Sequence, residues 1–130
     1  MSDMPKRALV AGHADFAAGL VSAVEQITGQ GEQLVPIQVN GLCGDEIQQL
    51  LRDSMMKHHV RIIFTDLQAG SCTMAARKVL REIEGGVLVA GTNLPMLLDF
   101  VLSSEPDVGV AATTAAERGR ASVSVHGAPA

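Results

Sequence analysis

Four short apolar runs, Arg7–Ala11, Gln33–Val39, Val60–Thr65 and Gly86–Ala90, alternate along this chain with longer stretches of helical period. Short runs rich in Val, Ile and Leu and bounded by Gly, Asn or Asp read as strands, and helix-length spacing between them calls for crossover connections. The rhythm predicts an α/β fold, a doubly wound and mainly parallel sheet with crossover helices. With 130 residues, 47% of them apolar, the chain can bury a genuine core, and a single domain over 1–130 is expected.

The first helical stretch, Phe16–Thr28, repeats Leu20, Val21, Val24 and Ile27, with Asp15 as candidate N-cap and Gly29 closing it. The second starts near Asp45, turns Ile47, Leu50, Leu51 and Met55 inward, and ends around Lys57-His58-His59, where basic groups suit the helix dipole. That histidine pair reads as a solvated helix end. A third helix follows Ser71 as its N-cap, carries Ala75, Val79, Leu80 and Ile83 on one side, and is broken by Gly85-Gly86. A fourth opens at Asn93-Leu94-Pro95, with proline in the first turn, and buries Leu97, Phe100 and Val101. After Pro106, Val108–Arg118 is alanine-rich and helical, and Gly119 is read as its end. Ala121–Val125 then reads as a last short strand at an antiparallel sheet edge, and His126–Ala130 as a frayed tail. An uncovered terminal strand tends to pair with another chain.

Composition removes several function classes. Trp and Tyr are absent and only three Phe are present, so stacking platforms for single-stranded nucleic acid are missing. Net charge is −4 with no basic stripe, which argues against nucleic acid and against an anionic membrane as partners. Cys43 and Cys72 form no C-x-x-C pair and sit in no Cys/His cluster, so neither a metal site nor a disulfide is expected, and no cofactor motif stands out. No signal-peptide core or membrane-spanning run is seen, which makes a soluble, cytoplasmic protein the expectation.

Three predicted strands end in polar or glycine-rich loops: Gly12-His13-Ala14-Asp15, Thr65-Asp66-Leu67-Gln68-Ala69-Gly70-Ser71 and Gly91-Thr92-Asn93. In a doubly wound sheet these loops emerge on one edge, so His13, Asp66 and Ser71 can converge although distant in sequence. Taken singly, each has an ordinary use as a cap, turn former or surface group. Together they make a catalytic set: a carboxylate on one ring nitrogen fixes the tautomer of an imidazole and leaves the other nitrogen as a nucleophile. Ser71 at a helix head supplies a hydroxyl and nearby N–H groups suited to a phosphoryl anion. A hydrolase reading of the same three residues lacks the Gly-x-Ser-x-Gly elbow, and a nucleotide-binding reading lacks both a P-loop and a G-x-G-x-x-G pattern.

The stretch Leu9-Val10-Ala11-Gly12-His13-Ala14-Asp15-Phe16-Ala17-Ala18-Gly19-Leu20 resembles the opening of the mannose-family enzyme IIA proteins of the bacterial phosphoenolpyruvate-dependent sugar phosphotransferase system. Thr65-Asp66-Leu67-Gln68-Ala69-Gly70-Ser71 resembles the family's Asp-x-x-Gly-Gly-Ser-Pro loop, and Ala90-Gly91-Thr92-Asn93-Leu94-Pro95-Met96-Leu97-Leu98 a third family block, in the same order. The resemblance implies that His13 is the phosphorylated histidine, Asp66 the residue that orients it and Ser71 the hydroxyl near the phosphoryl group. It implies a donor, the histidine phosphocarrier protein; an acceptor, an enzyme IIB domain; an indirect link to a membrane permease; and a homodimer that exchanges its terminal strand. A regulatory phosphoacceptor of the same fold, signalling carbohydrate status, is the alternative. Two residues depart from the family loop: Ala69 replaces a glycine, and Cys72 replaces a proline. Ala69 is expected to close the backbone approach, and Cys72 to present a thiol whose pKa falls at a helix N-terminus.

Overall fold

The computed structural model describes residues 4–128. Four strands, β1 (Ala8–Gly12), β2 (Leu34–Gln38), β3 (Ile62–Thr65) and β4 (Val87–Ala90), form one sheet in the order β2-β1-β3-β4. Every pairing is parallel; Val10 lies opposite Pro36 on one side and Phe64 on the other. Five helices connect and cover the strands: α1 (Phe16–Thr28), α2 (Gly44–His58), α3 (Ser71–Leu80), α4 (Leu94–Leu102) and α5 (Val108–Ala121). Parallel strands require such crossovers, because a tight turn cannot return the chain to the same end of the sheet.

Alternation along the central strands sorts the core into two layers. Ala8, Val10, Ile62 and Phe64 face α1, α4 and α5, where Phe64 meets Phe100 edge-on with ring centroids 5.0 Å apart. Leu9, Ala11 and Ile63 face α2 and α3, packing on Ile47, Leu51, Ala76 and Val79. Both faces of β1 and β3 are thus buried, which explains why these strands read as continuous apolar runs.

The C-terminal segment differs from expectation. Gly119 does not end α5. It is buried inside the helix, and a Cβ there would lie 2.7 Å from the Met96 Cβ and 2.9 Å from the Asn93 Oδ1. The glycine lets α5 approach α4 closely, and Asn93 Nδ2 donates to its carbonyl at 2.9 Å. The helix therefore continues to Ala121, and residues 122–128 follow without regular structure. Among the described residues no antiparallel edge strand forms at Ala121–Val125: Val123 and Val125 project into solvent, with no strand of the same chain beside them. The end of the expected frayed tail, residues 129–130, lies outside the described residues.

Two buried hydroxyls fix the loop that follows β3. Thr65 Oγ1 and Thr73 Oγ1 are 2.7 Å apart, and Thr73 also hydrogen-bonds the Leu67 carbonyl. A hydroxyl has one proton, so Thr73 donates to Leu67 and accepts from Thr65. Replacing Thr73 with Val strands the Thr65 hydroxyl and the Leu67 carbonyl. The Thr73→Val protein is expected to lose about 1–3 kcal/mol of stability, read from urea unfolding by far-UV circular dichroism.

Candidate active site

In the order β2-β1-β3-β4 the chain leaves β1 toward one side of the sheet and later fills the other side from β3. The crevice at such a switch lies outside the carboxyl ends of the two central strands. Here those ends carry His13, the residue after β1, and Asp66, the residue after β3.

The two side chains touch. His13 Nδ1 is 2.7 Å from Asp66 Oδ2, and the His13 backbone N–H donates to the same oxygen at 2.8 Å. The His13 side chain is 58% exposed and that of Asp66 only 10%. Burial pushes the Asp66 pKa up, but the hydrogen bonds from the His13 amide and ring, with attraction to the ring's charge, outweigh it and hold the carboxyl below its ordinary value. An ionised carboxylate only accepts hydrogen bonds. Nδ1 therefore carries a proton, and in the neutral ring the lone pair is on Nε2 of a largely exposed side chain, the arrangement of an oriented nucleophile or base.

Glycines make the contact possible. A Cβ on Gly12 would sit 2.6 Å from Phe16 Cδ2 and 2.9 Å from Asp66 Oδ2, so the carboxylate occupies the space a side chain would need. Gly70, the N-cap of α3, has φ 153° and ψ 169°, a region open essentially to glycine alone, and its Cβ position lies 3.7 Å from His13 Cε1. Helical geometry consequently begins at Ser71 itself, one residue earlier than a Ser71 cap would give. The Ser71 side chain is exposed and makes no hydrogen bond among the described residues, so the structure brings His13 and Asp66 into contact and leaves the Ser71 hydroxyl uncommitted at the head of α3.

Sequence reasoning missed the turn on the other side of His13. Phe16 N–H donates to the His13 carbonyl at 3.0 Å, and between them Ala14 adopts φ 47°. A left-handed alanine costs about 1 kcal/mol. Its amide donates to Asn40 Oδ1 at 2.9 Å. The signal in the sequence was slight: an alanine following a Gly-His pair has no reason to be noticed until its φ is known. Asp15 occupies the N-cap position of α1, as expected, but its side chain makes no capping hydrogen bond.

Around the site Phe16 is half-buried and Gln68 exposed, whereas Asn93 is occupied, accepting from the Met96 amide at 3.1 Å. A cleft of about 410 Å³ beside Gln68 runs past Gly91 and Met96 to Arg120. A groove of about 320 Å³ at Arg7, Gln33 and Ser103 lies by the amino end of β1, remote from this chemistry.

Residues 7–115 match the family described as PTS system fructose IIA component. The chain belongs to that family. The fold is likewise that of solved IIA proteins. The mannose/sorbose-specific IIA subunit from Enterococcus faecalis superposes with TM-score 0.78 at 20% identity, covering 98% of each chain. A phosphotransferase-system permease protein from Klebsiella pneumoniae gives 0.79 at 23%, covering 96% of this chain and 93% of that one. The IIA protein associated with the fucose utilization operon of Streptococcus pneumoniae gives 0.75 at 21%, covering 96% of each. Among curated proteins none matches the chain in sequence.

Against the IIA loop pattern, the two departures behave differently from expectation. Ala69 is exposed and has no positive φ, so the strained position belongs to Gly70 alone and the alanine closes nothing. Cys72 is buried against the α2–α3 layer, and its thiol is pushed up to about 11, first by burial and then by the Asp66 charge. A buried thiol beside a carboxylate loses more than a helix terminus supplies. Among the described residues no group of three or more His, Cys, Asp or Glu could hold a metal, and no helix is long and apolar enough to cross a membrane.

Two outcomes follow from this geometry. Gly12→Ala forces the Asp66 carboxylate or the Phe16 ring aside and is expected to destabilise the fold by about 1–3 kcal/mol, with the His13 Nδ1–H signal lost from its hydrogen-bonded position in NMR spectra. Because the Asp66 pKa is lowered in the folded state, the unfolded chain binds more protons between the two values, so this stabilisation is complete above the unfolded value of about 3.9 and fades as pH falls below it. Urea midpoints of the native protein should drop over that acid range more steeply than those of Asp66→Asn.

Proposed function

We propose that this IIA-family protein is a phosphohistidine relay of a sugar phosphotransferase system, accepting a phosphoryl group on His13 from the histidine phosphocarrier protein and passing it to an enzyme IIB domain that serves a membrane permease. The observation that carries the reading is the 2.7 Å contact between His13 Nδ1 and Asp66 Oδ2, which leaves Nε2 free on an exposed ring. In the transfer, the Nε2 lone pair attacks phosphorus while the P–N bond to the donor's imidazole breaks and its electron pair returns to that ring. The positive charge that develops on His13 is held through Nδ1–H by the Asp66 carboxylate. The phosphoryl oxygens lie toward the head of α3, where the Ser71 hydroxyl and the first-turn amides favour an anion. Transfer onward repeats the displacement, with the IIB nucleophile attacking phosphorus and the electron pair returning to Nε2.

Both partners must reach Nε2, so the docking face is the carboxyl edge of the sheet. Leu67 and Met74, each about half exposed, give it apolar anchors beside the polar site. Such partners dissociate after each transfer and suit a small interface.

The protein is further proposed to be a homodimer that pairs the terminal segment of one protomer with the sheet of the other. The β2 edge carries Pro36, whereas β4, Val-Leu-Val-Ala, has neither proline nor charge to guard its free edge. Ser122-Val123-Ser124-Val125 alternates as a strand does and exposes both valines.

Incubation with phosphoenolpyruvate, enzyme I and the phosphocarrier protein is expected to add one acid-labile phosphoryl group by intact mass. His13→Ala should add none, and Asp66→Asn should slow the gain by roughly a hundredfold or more. Unchanged yield in His13→Ala refutes the assignment. Light scattering at micromolar concentration should give a dimer mass that falls on truncation after Ala121, and a monomeric full-length protein contradicts the assembly.

A further inference from the structure

The backbone that carries His13 is tethered at two consecutive amides. His13 N–H donates to Asp66 Oδ2 at 2.8 Å, from the loop after β3, and Ala14 N–H donates to Asn40 Oδ1 at 2.9 Å, from the loop after β2. These loops lie on opposite sides of β1, so the peptide joining His13 to Ala14 is gripped from both flanks. The grip is needed because Ala14 is held at φ 47°, where an alanine does not rest unaided. Asn40 is exposed and hydrogen-bonds no other residue among those described, so its side chain serves this turn and nothing in the core. Its own loop is closed independently by the Leu42 amide donating to the Val39 carbonyl at 3.1 Å.

We propose that Asn40 is a positioning residue for the His13 phosphoryl transfer: by accepting from the Ala14 amide it keeps the left-handed turn in place and so keeps the imidazole aligned on Asp66. The proposal rests on the relay reading above. Without the Asn40 acceptor, Ala14 relaxes toward negative φ, the His13 peptide rotates, and the ring spends part of its time off the carboxylate with its proton free to move between nitrogens. Glycine at position 14 removes the strain, because it holds positive φ at no steric cost.

The test uses the full chain with Asn40→Ala, and Asn40→Ala combined with Ala14→Gly, after urea unfolding shows that both fold. Two properties are read: the rate of phosphoryl acceptance across phosphocarrier concentrations, and the His13 tautomer populations by NMR of histidine-labelled protein with no donor present. Asn40→Ala is expected to lower the limiting rate roughly five- to tenfold, with the half-saturating donor concentration changed by less than about twofold, and to reduce the Nδ1–H population. The double variant should recover most of both losses. Native rate and tautomer in Asn40→Ala, or a double variant no better than the single one, overturns the proposal. If the native protein accepts no phosphoryl group, the relay reading falls, and the tautomer populations decide the role of Asn40 by themselves.

Discussion

One carboxylate oxygen organises this site. Asp66 Oδ2 accepts from both the ring and the backbone amide of His13, so a single acceptor fixes the imidazole's tautomer, its orientation and the position of the chain that bears it. The rest of the structure is arranged to let that contact exist. The parallel pairing of β1 with β3 brings the two strand ends level, the missing side chain at Gly12 makes room for the carboxylate, and the Thr65–Thr73 hydroxyl pair anchors the loop on which Asp66 stands. With the carboxyl mostly buried and the ring mostly exposed, the hydrogen bonds are poorly screened while the imidazole stays accessible.

The same arrangement separates holding from reacting. Groups that hold, Asp66, Gly12, Thr65 and Thr73, belong to strand ends or the core, whereas His13, Ser71, Leu67 and Met74 are exposed on the same edge. The proposed relay needs this division, because its reacting atom would have to be reached by two different proteins in turn without losing its alignment between visits.

Much of the fold was legible from residue patterns. The α1 bounds, Phe16–Thr28, coincide with expectation, and each strand lies within about two residues of its apolar run; in the central strands β1 and β3, burial on both faces leaves an uninterrupted apolar signal. His13 and Asp66 were legible for a topological reason: strand-end loops of a doubly wound sheet meet at one edge. Other features depend on contacts that no local pattern records. Gly119 looks like a helix stop but is a close-packing residue against Met96, which is why α5 extends to Ala121. Cys72 looks like a helix-terminus thiol but faces the core, and burial decides its pKa. The left-handed Ala14 and its Asn40 support are separated by 26 residues and became visible only in three dimensions.

The central claim is that Asp66 holds Nδ1 of His13 and thereby assigns the reaction to Nε2. The chain has four histidines, each with two ring nitrogens, so the claim selects one atom among several. Phosphorus–nitrogen coupling in NMR spectra of the phosphorylated, histidine-labelled protein identifies the bonded atom directly. The account predicts a single phosphoryl group on Nε2 of His13; phosphorus bonded to Nδ1 of His13, or to His58, His59 or His126, would contradict it.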